Sequence, residues 1–301
     1  MRVLITGGTG RIARALAPHL RSLGYSVFVT DRSGPSGSVS DVAGCTVLHL
    51  DCFESPELFG RHIHEGDAVI HLACSSDPAI SQADPSSDVR TNLLGTLAVF
   101  RECVARGAGR FVFASSGGTV YGPAIGRRAI REDAPLAPIS MHGAMKSAAE
   151  TYLRAAAHGA DILLQILRIS NPYGLVSGTR RQGFIDVAIQ TLRTGGTLTV
   201  WGDGSVVRDY IFVSDLLAAF ETTLNNESSF TLNIGSGVGT AINDIIELLA
   251  AHFALVDRVD RVPGRPIDVA RNVLDVSAAR AVLGWEPVVA LAEGIRRSVA
   301  R

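Results

Sequence analysis

The sequence predicts an α/β fold, a doubly wound parallel sheet followed by a smaller C-terminal α/β lobe. Two observations carry that expectation. Short, wholly apolar runs alternate with longer segments of helical period over roughly the first 170 residues, and a glycine-rich turn joins the first run to the first helix. Apolar runs without polar alternation mean strands covered on both faces, which in turn requires parallel strands with helices on each side.

Taken in order, Val3–Ile5 reads as the first strand, Ile12–Leu23 as an amphipathic helix stopped by Gly24, and Val27–Val29 as the second strand. Further strands are expected at Val47–Leu50, Ala68–Leu72, Phe111–Ala114 and Ile162–Leu167, with helices around 55–63, 88–106 and 143–158. The Gly/Ser/Pro stretch Ser33–Ser40 reads as a polar loop. After about residue 170 the rhythm loosens, and Gly- and Arg-rich connections at 174–183, 202–208 and 263–271 separate shorter elements. The expected division is 1–170 for the sheet domain and 171–301 for the smaller lobe, with room for the chain to cross back.

Charge and cysteine usage narrow the function classes. With 28 Lys and Arg against 29 Asp and Glu, the 301 residues carry a net charge of −1 and no basic stripe for nucleic acid or an anionic membrane. No apolar run approaches membrane-spanning length, and the chain enters its first strand without a signal-peptide core. Cys45, Cys52, Cys74 and Cys103 lack metal-type spacing and read as reduced, buried thiols. A soluble cytoplasmic protein without a metal site is expected.

Thr6-Gly7-Gly8-Thr9-Gly10-Arg11-Ile12-Ala13 lies at the strand-to-helix junction. Glycines there permit a tight turn and let backbone N–H groups approach a pyrophosphate at the positive end of the helix. Ala13 takes the place where a third glycine is common, and it is small enough for close helix–strand packing. Asp31 closes the second strand about twenty residues on, placed to accept hydrogen bonds from an adenosine ribose and to repel a 2′-phosphate. The arrangement is that of a Rossmann dinucleotide site and favours NAD, while Arg32 beside Asp31 leaves NADP open. The bland alternative is a glycine turn in a nucleotide-free protein, which the strand–turn–helix context and Asp31 together disfavour.

Further motifs follow in a fixed order: Asp51-Cys52, His71-Leu72-Ala73-Cys74, Asn92-Leu93-Leu94-Gly95-Thr96, Ser115-Ser116-Gly117-Gly118-Thr119-Val120-Tyr121-Gly122, Asn171-Pro172-Tyr173-Gly174 and Arg208-Asp209-Tyr210. The end of the chain adds Gly264-Arg265-Pro266-Ile267-Asp268-Val269 and Leu283-Gly284-Trp285-Glu286-Pro287. Along its whole length the chain resembles the extended short-chain dehydrogenase/reductase family, in its nucleotide-sugar epimerase/dehydratase branch, and residues 264–272 resemble UDP-glucose 4-epimerase-like members. The resemblance implies cofactor contacts at Gly7, Gly10, Arg11, Ile12, Asp31, Arg32, Asp51, Cys52, Leu72, Ala73, Cys74, Asn92, Ser115 and Lys146, with Asn92 structural or close to the cofactor. Asn171, Arg208 and Arg265 are implied contacts of a nucleotide-sugar diphosphate. Two guanidiniums converging from separate segments suit that dianion.

The family usually places a Tyr four residues before a Lys on one helix face, the phenol taking a sugar proton as hydride leaves for the nicotinamide. Here Lys146 is present and His142 holds the Tyr position. An imidazole is a competent base at neutral pH, and Lys146 would favour its neutral form. The competing reading is that His142 only fills space. The neighbouring Ser/Thr position is Gly117, leaving Ser116 or Thr119 to supply a hydroxyl. Gly118 and Thr119 stand where dehydratase relatives carry an Asp-Glu pair, which disfavours that route. His49, His62, His64, His71 and His158 read as structural or surface residues.

The resemblance thus implies an NAD-dependent nucleotide-sugar epimerase. The alternatives are a keto-sugar reductase or atypical dehydratase, and a catalytically silent binding protein. It also implies a homodimer through helices 88–106 and 143–158, where Ala144, Ala148, Ala149, Ala155 and Ala156 would allow close approach.

Overall fold

The computed structural model describes residues 1–32, 42, 44–123, 126, 128–175, 183–265 and 269–301. The expected Ser33–Ser40 loop therefore lies outside the described residues, as do 176–182 and 266–268 of two of the connections. The strands are β1 (Arg2–Thr6), β2 (Ser26–Asp31), β3 (Thr46–His49), β4 (Ala68–His71), β5 (Arg110–Ser116), β6 (Leu163–Ile169) and β7 (Asn171–Tyr173). They continue with β8 (Leu198–Trp201), β9 (Val207–Phe212), β10 (Phe230–Ile234), β11 (Gly239–Ala241), β12 (Val259–Val262) and β13 (Arg271–Asn272). The helices are α1 (Arg11–Ser22), α2 (Pro56–Gly60), α3 (Pro78–Ala83), α4 (Pro85–Asp88), α5 (Gly95–Ala105) and α6 (Met141–Ala157). After them come α7 (Phe184–Arg193), α8 (Val213–Leu224), α9 (Ile242–Ala250), α10 (Ser277–Leu283) and α11 (Leu291–Val299).

Seven strands form one parallel sheet in the order β10-β6-β5-β4-β1-β2-β3. Strand side chains alternate between two cores. Val3, Ile5, Val27, Val29 and Ile70 meet Leu16 and Leu20 of α1 and Phe220 of α8 on one face. On the other, Leu4, Val69, Phe111 and Phe113 meet Phe100 of α5 and Met145 and Leu153 of α6. Chain order reverses between β1 and β4, so the loops after these strands part and open a crevice at their carboxyl ends.

The second lobe interleaves with the first. β9 gathers β7 and β13 in parallel and β11 antiparallel, and β8 pairs with β12. Between them α8 and β10 return to the large sheet, and Trp285 packs in the same core, its Nε1 donating to Asp215 O at 3.0 Å. β10 was not expected as a sheet member, because Phe230-Thr-Leu-Asn-Ile is an edge strand with polar positions rather than an apolar run. The expected helix at 88–106 is α4 and α5 joined by a π-helical stretch, Val89–Leu94. The one at 55–63 shortens to Pro56–Gly60. Cys52 and Cys103 are buried as expected, whereas Cys45 and Cys74 are only partly so.

α6 begins at Ser140, whose side chain accepts from Gly143 N at 3.2 Å. Residues 142, 146 and 150 then fall one above another on the face toward β5. Lys146 Nζ donates to Ala114 O at 2.9 Å, and Ser115 Oγ donates to Glu150 Oε1 at 2.5 Å. Glu150 is fully buried and receives Arg168 of β6 through Nη2 at 2.7 Å and Nε at 3.1 Å. Arg168 in turn donates to the Tyr121 hydroxyl at 2.9 Å, which donates to Asn233 Oδ1 of β10 at 2.6 Å. The apolar run at Ile162–Leu167 thus extends to Ile169 through a buried Arg whose charge is matched by α6.

This latch makes a direct prediction. Glu150→Ala leaves the buried Arg168 guanidinium without its carboxylate and should lower stability by about 3–5 kcal/mol in urea denaturation. Replacing both residues by Met should restore most of that loss, because the isolated charge is gone. A loss below about 1 kcal/mol for Glu150→Ala, the range of exposed ion pairs, would contradict the latch.

Candidate active site

The crevice at the switch point is a cleft of about 1350 Å³ running from the β1 turn across the ends of β4, β5 and β6 to the second lobe. Its first wall is the glycine turn. Gly7 takes φ 73°, and a Cβ there would lie 2.8 Å from Ala73 Cα, so only glycine lets the β1 turn lie against the loop after β4. Gly10 caps α1 with no side-chain cap, and no acidic residue occupies the first turn. The positive helix end with its N–H groups thus borders the cleft, lined by Gly10, Arg11, Ile12 and Ala13. These features suit a pyrophosphate, so the residues present fit a dinucleotide.

His71 supports this wall from beneath. Its ring nitrogens lie 2.9 Å from Thr6 Oγ1 and 3.0 Å from Thr96 Oγ1, and Thr6 Oγ1 also accepts from Ala73 N at 3.2 Å. Burial first, and the Lys146 cation second, push the imidazole down to about 3 and keep it neutral. It is a structural histidine. Leu72, Ala73, Cys74, Asp51, Cys52 and Arg32 all line the cleft, and Asp51 Oδ1 accepts from Phe53 N at 2.8 Å, fixing its own turn. Asp31 does not stand on the lining: it is 1% exposed at the end of β2, between the lining residues Thr30 and Arg32. Asn92 is also absent from the lining, 1% exposed within the π-helical stretch. It accepts from Ser75 N at 2.8 Å and donates to Ser76 Oγ and Asp88 Oδ1, so it holds the Ser75–Ser76 wall from behind.

The floor is built by the ends of β5 and β6 and the start of α6. Ser115, Ser116, Gly118, Thr119, His142, Lys146, Ser170 and Asn171 line it together. The Ser115 hydroxyl is committed to Glu150. At Gly117 a Cβ would lie 2.6 Å from Leu274 Cδ1 and 2.8 Å from Arg168 O, so this backbone has no room for the hydroxyl that relatives often carry there. Gly143 lets the first turn of α6 lie against the β5 loop, since a Cβ there would reach within 2.4 Å of Thr119 O. His142, one residue earlier, joins Thr119 on that floor.

His142 is only partly buried as a residue, but its Nδ1 is buried and, like Thr119 Oγ1 and Ser170 Oγ, has no hydrogen-bond partner among the described residues. Burial, then the Lys146 cation, push its imidazole down to about 4, while Asp88 and Asp77 act in the opposite sense. Its place in the first turn of α6 works in the same direction, because the positive helix end disfavours a second cation. The side chain is therefore neutral at pH 7. It can accept a hydrogen bond, and it is a weaker base than an exposed imidazole.

From the second lobe, Asn171, Arg208, Arg265, Trp201 and Tyr210 line the far side. Asn171 Nδ2 donates to Asp209 O at 2.8 Å, Arg208 Nη1 donates to Val269 O at 2.6 Å, and the Arg265 guanidinium lies 5.3 Å from the centre of the Trp201 ring. Asp209 is buried and accepts from Ser236 N, Gly237 N and Leu274 N, tying β9 to two neighbouring loops. Arg11 lines the cleft and is also ion-paired with Asp186 of α7. Among the described residues the lining carries six cations (Arg11, Arg14, Arg32, Lys146, Arg208, Arg265) against Asp51 and Asp77, a field for polyanionic ligands in a near-neutral protein. Thr30, Trp201 and Ser170 were not singled out from sequence. Their residue types carry no motif, and only the fold brings them to the cleft. No metal-holding cluster of His, Cys, Asp and Glu occurs among the described residues, and none of their helices is long and apolar enough to cross a membrane.

Comparison with known proteins agrees with this geometry. The chain is 32% identical over 311 aligned positions to a UDP-glucose 4-epimerase of Mycolicibacterium smegmatis, covering 99% of this chain and 97% of that one. It is equally 32% identical to a dTDP-4-dehydro-6-deoxyglucose reductase of Escherichia coli, covering 99% and 96%. The crystal structure of a Thermus thermophilus UDP-glucose 4-epimerase in complex with NAD superposes with a TM-score of 0.91 at 32% identity, covering 100% of this chain and 98% of that one. The model of the NAD dependent epimerase/dehydratase family matches residues 3–235, and the chain belongs to that family of NAD-dependent enzymes.

Proposed function

We propose that the chain is an NAD-dependent nucleotide-sugar 4-epimerase in which His142 stands in for the usual phenol. The observation that carries this reading is the pairing of His142 and Lys146, one helical turn apart, on a floor whose cofactor wall and cationic far side are both in place. When bound, NAD supplies a hydride acceptor that returns the hydride to the keto sugar, so no external reductant is consumed.

The chain's own residues orient and move a proton. Arg208 and Arg265 present guanidiniums to the diphosphate, and Asn171 adds an amide beside them. Lys146, held by Ala114 O and lying 4.7 Å over the Phe113 ring, keeps a fixed cation under the reacting hydroxyl. Neutral His142 accepts that hydroxyl's proton, and Thr119 Oγ1, itself unpaired among the described residues, stands on the same floor. A sugar alcohol is a very weak acid in its resting state and becomes acidic as its carbinol hydrogen departs with the bonding electrons. A base of low pKa is therefore sufficient if the two events are concerted, and the imidazolium so formed returns its proton to the carbonyl oxygen when the keto sugar is reduced on its other face. Asp31, buried at the end of β2, supports NAD over NADP by its charge.

A second reading, a keto-sugar reductase, is favoured by the Escherichia coli relative. Incubating the purified protein with UDP-, dTDP- and GDP-sugars and following each by proton NMR without reductant separates the two. The epimerase reading predicts a new epimer from one of them. No epimer from any, together with NADH oxidation by a 4-keto sugar, would replace it with the reductase. Loss of water would indicate a dehydratase.

A homodimer belongs to the same reading, with a cytoplasmic setting that suits four free cysteines. Leu94 is 54% exposed and Tyr152 57% exposed on the adjoining surfaces of the π-helical stretch and α6, with Ala144, Ala155 and Ala156 exposed beside them. Ala149 is not part of that face, because it is buried in the chain's own core. Sedimentation should give twice the chain mass of 31.8 kDa, and Tyr152→Glu should halve it; a wild-type monomer would contradict the dimer.

A further inference from the structure

Ser170 follows β6 directly, between the buried strand and Asn171, and neither the glycine turn nor the His142–Lys146 pair accounts for it. It is 7% exposed and lines the cleft, yet its hydroxyl has no hydrogen-bond partner among the described residues. Its backbone is fixed, with Ser170 N donating to Ile234 O at 2.8 Å. β5–β6 pairing sets Ser116 opposite Ile169, and Gly117 N donates to Ile169 O at 2.8 Å, so Ser170 lies one step beyond the paired strands, level with Gly117 at the start of the turn. A Cβ on Gly118 would meet nothing nearer than 4.0 Å, the closest atoms being on Asn171 and Ser116, so the space between these strand ends is open.

A buried hydroxyl left unpaired destabilises the free protein, and native chains rarely retain one without use. Thr119 Oγ1 and His142 Nδ1 stand unpaired on the same floor, a grouping that fits a guest bearing several hydroxyls. Serine both donates and accepts, so it can pair with a ring hydroxyl in either sense, and it is small enough to leave the floor open.

We propose that Ser170 is a sugar-positioning residue, its hydroxyl hydrogen-bonded to a ring hydroxyl of the hexose while the diphosphate is held by Arg208 and Arg265. The proposal rests on the nucleotide-sugar reading of the cleft. The test uses calorimetry on the NAD-loaded full chain with UDP-glucose, UDP-galactose, UDP-N-acetylglucosamine and dTDP-glucose, each set against UDP or dTDP alone. Wild type should bind at least one sugar nucleotide more tightly than its parent nucleotide. Ser170→Ala should shrink that margin about fivefold to tenfold, the worth of one hydrogen bond, without changing the affinity for UDP, dTDP or NAD. The melting temperature of the cofactor-free variant should be unchanged or higher, because an unpaired hydroxyl has been removed. A full sugar margin in Ser170→Ala, or a loss of NAD affinity in its place, overturns the proposal and leaves the epimerase reading standing. A wild-type protein with no sugar margin on any probe overturns both.

Discussion

The buried ion pair between Glu150 and Arg168 is the contact on which the site's geometry depends. It joins the middle of α6 to β6, and Ser115 and Tyr121 complete it from β5 and the loop beyond. With Glu150 held there, helical geometry alone places Lys146 one turn back at Ala114 and His142 one turn further on the floor of the cleft. Charges so deeply desolvated are retained at a cost unless paired, and here pairing also fixes the register between a helix and the sheet. The glycine at position 143 completes that register by letting the helix start touch Thr119 O.

The cofactor wall rests on a different constraint, backbone contact. Gly7 against Ala73 brings the loops of β1 and β4 together at the point where strand order reverses, and neutral His71 ties Thr6 to Thr96 beneath them. The second lobe is positioned by Asp209, which gathers three backbone N–H groups and thereby carries its neighbour Arg208 to the far side of the cleft. Two walls and a latched helix meet over one floor, and among the described residues the buried polar atoms left unpaired on that floor are those of Thr119, His142 and Ser170.

Much of this was legible in the sequence because apolar runs and glycine turns are local signals. The strands β1 to β6 and the turn at Gly7–Gly10 are where periodicity and motif order put them. What could not be read depends on distant partners. Arg11 suggests a pyrophosphate contact by position, yet it also pairs with Asp186, 175 residues away. Gly117 reads as a lost hydroxyl, and only the approach of Leu274 and Arg168 O shows that no side chain fits. Helix α3 begins at Pro78 with Asp77 as its cap, too short for a periodic signal, and β10 hides its membership of the sheet behind polar edge positions. Ser170 has no sequence signature, since its significance lies in being buried, unpaired and on the cleft.

The central claim is that a neutral His142, presented by the latched helix, takes the sugar proton. Mixing the NAD-loaded protein with the sugar nucleotide it turns over, and following the ultraviolet absorbance of reduced nicotinamide in a single turnover, tests it most directly. The account predicts a transient rise in wild type that falls by at least about a hundredfold in rate in His142→Phe, the usual worth of a positioned acid–base group, with sugar-nucleotide affinity nearly unchanged. A transient of wild-type rate in His142→Phe would contradict it and pass the proton to Thr119 or to solvent.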